Sequence, residues 1–178
     1  MKLNYKLRPE DFLDHQLYQA SKSKYLKKRR QMSRAVVPVI YLLFGLFLLF
    51  RYNSVIGLSL FAGIGLLWFI LYPIYSKHRY KNHYRKHIFK NYKNRFNKEV
   101  SIELGDGFMT AYEGESESRI SMKEVNQVIE LQGLFLIRLH SNQSVIVPKA
   151  NLDNTEEVRQ FFQNKPFKYV DEQGWKWK

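Results

Sequence analysis

The residues of this chain whose types could do chemistry are concentrated in a basic segment, "YSKHRYKNHYRKHIFKNYKNRFNK" at 75–98. It holds nine Lys or Arg, three His, six aromatic residues and no acid. Cations interleaved with aromatic rings are typical of nucleic-acid binding, through phosphate neutralisation and base stacking. A basic segment that leaves a membrane helix has the same composition. The residues upstream decide between the two.

Histidines in the same segment raise the question of a metal site. His83 and His87 are four residues apart and therefore share a helix face, and His78 precedes them. Two imidazoles at this spacing can bind a metal ion when a third neutral ligand is present. The surrounding residues are nearly all cationic and would repel a divalent ion. We therefore expect solvated histidines and no metal.

Other polar clusters give no stronger indication of catalysis. The acidic and serine-rich stretch 113–118 falls at the tip of a predicted hairpin, where charges are solvated. Lys149 follows a proline at a strand end and could touch a phosphate, but we interpret it as a solvated edge charge. The sequence contains no Gly-rich phosphate loop, nucleophile elbow or His/Glu metal motif, and it has no cysteine. It therefore predicts no catalytic residue and no cofactor, and hence a protein that is not an enzyme.

Two uncharged runs, 35–50 and 55–75, separate the basic segments. A hydrocarbon core needs roughly 20 helical residues, with a lower limit of about 17. The second run, 21 residues long, is sufficient, and the first reaches that length only if Arg51 snorkels and Tyr52 lies among headgroups. A buried hairpin in a soluble core would need a polar shell that the rest of the chain is too basic and too short to form. We predict a transmembrane hairpin at 35–75, with helices at about 35–52 and 55–75.

Charge is distributed unevenly and indicates an orientation. Residues 1–98 contain twenty Lys or Arg against three Asp or Glu, whereas 99–178 contain nine against thirteen. Seven of these cations lie in 22–34 and nine in 76–98, but the loop between the apolar runs has one. The positive-inside rule then predicts a multi-pass protein of the cell membrane with both termini in the cytoplasm.

The basic flanks are expected to contact anionic headgroups, and nucleic acid is not an expected partner. The cations predicted to touch lipid are Lys27, Lys28, Arg29, Arg30, Arg34, Lys77, Arg79, Lys81, Arg85 and Lys86. Ser59 and Gly63 form a small-xxx-small pair, which predicts close packing of the second helix on the first.

The remaining segments indicate an α+β protein. In 1–34, "KLNYKL" alternates like a strand, and Pro9 begins an amphipathic helix that leads into the basic flank. The 76–98 segment reads as a basic juxtamembrane helix. Residues 99–166 contain six short alternating runs and then an amphipathic helix at 154–164, in which Val158, Phe161 and Phe162 are predicted to face inward. A tail follows at 167–178. We expect an antiparallel barrel or sandwich closed by the C-terminal helix, of pleckstrin-homology-like (PH-like) outline, with the N-terminal strand as a seventh.

The order of these segments resembles a known family. The layout, together with "ISMKEVNQVIELQGLFLIRL" (120–139) and "VIVPKANL" (145–152), resembles the bacterial YcxB-like membrane proteins. The resemblance implies a bacterial inner-membrane protein with a cytosolic PH-like C-terminal domain and no assigned biochemical activity.

Two functional hypotheses follow. The first is a non-enzymatic, membrane-anchored scaffold whose β domain binds a protein or peptide along a sheet edge, or binds anionic lipid. The alternative is an accessory subunit or small oligomeric transporter component, in which the hairpin assembles with copies of itself. Against the alternative, neither apolar run holds an ionisable residue of the kind that marks an ion path.

Overall fold

The computed structural model describes residues 1–177, with only the backbone of Asn151. The fold is α+β, with two long apolar helices and two four-stranded sheets. The chain divides into two compact units. The β unit comprises residues 1–16 and 85–176, and the helical unit comprises residues 17–84 with Trp177.

The β unit contains eight strands in two sheets. The first sheet is antiparallel, in the order β1-β2-β3-β4. The second has the order β7-β6-β5-β8, in which only the β5–β8 pair is parallel. The bounds are β1 Lys2–Lys6, β2 Glu99–Leu104, β3 Phe108–Glu113, β4 Ser116–Ser121, β5 Val125–Glu130, β6 Leu134–Leu139, β7 Ser144–Pro148 and β8 Lys168–Asp171.

The sheets differ from expectation in two ways. Within residues 1–177 they form two separate four-stranded sheets and do not join into a closed barrel, so of the predicted barrel or sandwich the closed barrel is not found. β4 begins with four exposed residues, Ser-Glu-Ser-Arg, and this part of the strand has no apolar face to close against another edge. The eighth strand, β8, lies in the segment predicted as a tail. Parallel pairing needs a long crossover, and the chain between β5 and β8 supplies one.

The C-terminal helix covers the second sheet. α4, Thr155–Gln163, begins at Asn154, whose side chain accepts a hydrogen bond from the Glu157 amide at 3.2 Å. Val158 and Phe162 are buried, and the Phe162 ring lies 6.0 Å from that of Phe135 in β6. Phe161, predicted to face inward, is only half-buried.

The helical unit is built mainly from an antiparallel pair. α1, Pro9–Lys22, ends before Ser23, and α2, Lys24–Tyr52, begins with Ser23 as its N-cap. Asn53, in the left-handed conformation with φ 54°, turns the chain into α3, Val55–Asn91. Thus α3 carries the second apolar run and most of the basic segment as one helix. Both α2 and α3 are long and apolar enough to cross a membrane.

The face on which α3 packs against α2 is not the predicted one. A Cβ built on Gly45 would lie 3.2 Å from the Leu58 Cα, so this glycine allows close backbone approach. A Cβ built on Gly63 would meet no described atom of α2 within 4 Å, and Ser59 is exposed with its hydroxyl donating to the Val55 carbonyl. The predicted pair is therefore wrong as a contact between these helices. Ser59 is one residue beyond Leu58, about 100° around the helix.

This packing predicts the outcome of enlarging either glycine. Gly45→Leu must push the two backbones apart and should destabilise the full-length protein in detergent by about 1–3 kcal/mol. Gly63→Leu, the matched control, points into open space and should leave the midpoint nearly unchanged. Thermal unfolding of the two variants and the wild type measures the difference. Equal losses for both substitutions would contradict the observed interface.

Candidate functional site

The two apolar runs are unequal in length, and this places basic residues of α2 beside aromatic residues of α3. The Trp68 indole N–H donates to the Ser33 carbonyl at 3.4 Å, and Arg34 Nε donates to the Phe69 carbonyl at 3.1 Å. These contacts align the start of the first run with a point inside the second. Because the helices are antiparallel, the last residues of the second run, 70–75, lie alongside the basic turns of α2.

A cavity of about 210 Å³ opens at this level. We call it the arginine cavity. Its lining residues are Arg29, Arg30, Ser33, Tyr72, Tyr75, Ser76, Arg79, Tyr80 and His83. It thus combines three guanidinium groups with hydroxyl donors, and no acid is found among the described residues that line it.

Ser76 provides a buried donor in this cavity. The residue is 4% exposed, and its hydroxyl oxygen has no hydrogen-bond partner within residues 1–177. A serine inside a helix commonly donates to the carbonyl four residues earlier. Buried polar groups are nearly always satisfied, so an unsatisfied one requires an explanation.

Aromatic rings hold one arginine of the cavity in place. The Arg30 guanidinium lies 4.6 Å from the Trp177 ring centroid and 5.9 Å from that of Tyr80. The two rings are themselves 5.5 Å apart. Cation–π contacts of this kind orient the guanidinium before any ligand arrives. The arrangement can therefore bind an anion such as a phosphate, whose oxygens match the planar guanidinium fork.

The predicted headgroup residues have different positions. Arg29, Arg30 and Arg79 line the arginine cavity, while Arg34 lies over the Phe69 ring at 4.0 Å. Arg85 belongs to the β unit, where it lines a small cleft with Pro9 and Ile88. The five predicted lysines are exposed and lie outside the cavity lining: Lys27, Lys28, Lys77, Lys81 and Lys86.

Sequence reasoning missed the neutral residues of the cavity, Ser33, Tyr72, Tyr75 and Ser76. One signal was available for the last of them. Ser76 is the first polar residue after the second apolar run, followed at once by a cation. In the described part of the chain, no cluster of three or more His, Asp or Glu is placed to hold a metal.

The β unit contains a second polar cluster, around the fully buried carboxylate of Glu130 at the end of β5. Lys149 Nζ donates to its Oε1 at 2.5 Å, and Arg159 donates from Nε to Oε2 at 2.9 Å and from Nη2 to Oε1 at 2.6 Å. The Tyr169 hydroxyl also donates to it. Burial alone would raise the pKa of Glu130, but the hydrogen bonds from Arg159, Lys149 and Tyr169 outweigh it and lower the pKa to about 2.

This cluster corrects the interpretation of Lys149 as a solvated edge charge. Its side chain is 12% exposed and is paired with a carboxylate that is 1% exposed. The sequence contained a signal for the cluster in "VIEL", 128–131. Consecutive apolar residues indicate a strand buried on both faces, and an acid within such a run must find partners. The cluster joins β5, α4 and β8. Both oxygens of the Glu130 carboxylate already accept hydrogen bonds from residues of the cluster, so we assign it a structural role.

A groove of about 720 Å³ lies between the two sheets of the β unit. Arg95 and Glu113 form a two-point ion pair on its wall, at 3.1 and 2.6 Å. His15, from α1, also lines the groove. Burial, reinforced by the positive charge of Arg138, lowers the pKa of His15 to about 4, so this imidazole is neutral at pH 7.

Comparison of the chain with protein-family models, with curated proteins and with solved structures finds no match.

Proposed function

We propose that this chain is an integral membrane protein whose α2–α3 hairpin spans the bilayer, and whose β unit is a non-enzymatic interaction module. The main observation in favour of this proposal is that the apolar side chains of α2 and α3 are exposed. In the most apolar 18-residue window of each long helix, 6% of the residues are buried. Phe50 is 83% exposed, Ile56 83% and Leu66 61%. In water such a surface would be strongly unfavourable, whereas lipid tails solvate it.

The arrangement of charge supports the same proposal. The turn of the hairpin carries only Arg51, whereas the opposite ends of α2 and α3 carry the basic clusters. Under the positive-inside rule these ends, and with them both termini, face the cytoplasm of a bacterial cell. There the cations attract anionic headgroups by about 1 kcal/mol each near the surface.

The β unit supports a binding role rather than catalysis. β4 has an unpaired edge and exposed residues at its start, and a peptide can add as a strand to such an edge. The layout of hairpin, basic helix and β domain is the one that resembles the YcxB-like proteins. We therefore propose a membrane-anchored scaffold of this type, with a PH-like cytoplasmic module.

Single-cysteine labelling in cells tests this topology, because the natural chain has no cysteine. Asn53→Cys, in the hairpin turn, should react with a membrane-impermeant maleimide added to intact cells. Glu115→Cys, at a tip of the β unit, should react only after lysis. Both variants should stay in the membrane pellet after carbonate washing. Release into the supernatant, or labelling of position 115 in intact cells, would overturn the proposal.

A further inference from the structure

We propose that the arginine cavity binds the phosphate of one anionic phospholipid headgroup. This inference rests on the proposed function, since it needs the hairpin in a bilayer. It goes beyond general attraction between basic flanks and lipid, because it assigns a defined site with named donors.

The first argument is charge in a fixed geometry. Arg29, Arg30 and Arg79 all line one cavity, whereas the nearby lysines Lys28 and Lys81 do not line it. Arginine presents a planar fork of donors that matches two phosphate oxygens, and Arg30 is already oriented by Tyr80 and Trp177. Diffuse attraction would not require this convergence.

The second argument is the unsatisfied hydroxyl of Ser76. It is buried at the cavity and has no acceptor within residues 1–177. A phosphate oxygen in the cavity would accept its hydrogen bond and so account for the orphan donor. A cation in the same cavity would be repelled by the three arginines.

The third argument favours a lipid over a free phosphate. Leu71 and Ile74, 54% and 70% exposed, lie on α3 among the lining tyrosines Tyr72 and Tyr75. An acyl chain attached to the bound phosphate could lie along these apolar side chains. Tyrosine rings are typical of the headgroup level, which is where a lipid phosphate resides.

Native mass spectrometry of the full-length protein in detergent tests the proposal. The protein is offered equal amounts of phosphatidylglycerol and phosphatidylcholine, and the first bound lipid is counted. The wild type should prefer phosphatidylglycerol. Removing two of the cavity cations in Arg29→Gln/Arg79→Gln should weaken that binding about tenfold or more.

Matched variants separate the site from general charge. Lys28→Gln/Lys81→Gln removes two cations from the same turns outside the cavity, and it should change binding less than about twofold. Ser76→Ala keeps all the charge and removes only the orphan donor, and it should weaken binding about threefold or more. Equal losses in the arginine and lysine double variants, or an unchanged Ser76→Ala, would overturn the site.

Two further measurements are needed. One distinguishes a lipid phosphate from free phosphate, and the other distinguishes failure of the cavity proposal from failure of the membrane anchor. Inorganic phosphate at the same concentration should not displace phosphatidylglycerol; displacement would overturn the lipid assignment in favour of a soluble anion. Flotation with vesicles tests the anchor separately. A protein that floats but shows no lipid preference would refute only the cavity, whereas a protein that does not float would refute the proposed function.

Discussion

Glu130→Ala is expected to lower the free energy of unfolding of the β unit by about 3–5 kcal/mol at pH 7. The substitution leaves Lys149 and Arg159, which are 12% and 24% exposed, without their shared carboxylate. It also removes the acceptor of the Tyr169 hydroxyl. Removing one member of a buried ion cluster costs far more than the cluster's net contribution, since the remaining charges stay desolvated. Hydrogen exchange of β5 and β6 in the full-length protein, followed against denaturant, measures the loss.

An exposed ion pair offers the matched control for this experiment. Glu103 in β2 pairs with Lys2 at 3.1 Å, with the two side chains 47% and 58% exposed. Glu103→Ala also removes a strand carboxylate from an ion pair, yet water solvates the partner, so the loss should stay below about 1 kcal/mol. A similar loss of stability in both variants would contradict the inference that the buried Glu130 cluster stabilises the β unit more than an exposed ion pair does.

Mild acid is expected to destabilise the β unit through His15. Burial and the charge of Arg138 lower the pKa of His15 to about 4 in the folded state. Because the unfolded state binds the proton first, folding stability is retained above pH 6.5 and is lost as the pH falls from about 6.5 to 4. A shift of this size corresponds to a loss of about 3 kcal/mol. Unfolding midpoints between pH 7 and pH 4.5 record the slope.

Two variants show whether His15 causes that slope. His15→Gln removes the titrating imidazole and should flatten the dependence of stability on pH in this range. His140→Gln removes an exposed imidazole and should retain the wild-type slope. Glu130 contributes separately at lower pH. Its folded-state pKa is depressed, so its stabilisation is complete above about pH 4.5 and is lost as the pH falls toward 2. A slope that survives His15→Gln would contradict this assignment.

Features carried by local pattern were predictable from the sequence. Runs of 16 and 21 uncharged residues specify two apolar helices because helical length and hydropathy depend only on neighbouring residues. α4 was predictable for the same reason, since Asn154 and the spacing of Val158 and Phe162 are local signals. The N-terminal strand was also recognised from its alternation, and it pairs with β2.

Features that depend on distant pairing were decided by the tertiary structure. β8 is only four residues long and is defined by its parallel alignment with β5. The turn at Asn53 precedes α3, and the packing of the two helices decides which face of α3 meets α2. The close approach is between Gly45 of α2 and Leu58 of α3, and Gly63 of α3 takes no part in it. The partners of Glu130 come from three segments 19 to 39 residues away along the chain.

The arginine cavity shows both contributions together. The sequence by itself determined that basic residues flank two apolar helices of unequal length. Only the tertiary structure decided which of those cations converge, because the register of α2 against α3 sets the partners of each side chain. That register places Arg29, Arg30 and Arg79 with Ser76 in the lining of one cavity and leaves Lys28 and Lys81 outside that lining. The periodicity of apolar residues along one helix does not predict how that helix is aligned with another, because the alignment depends on how the two helix surfaces pack together.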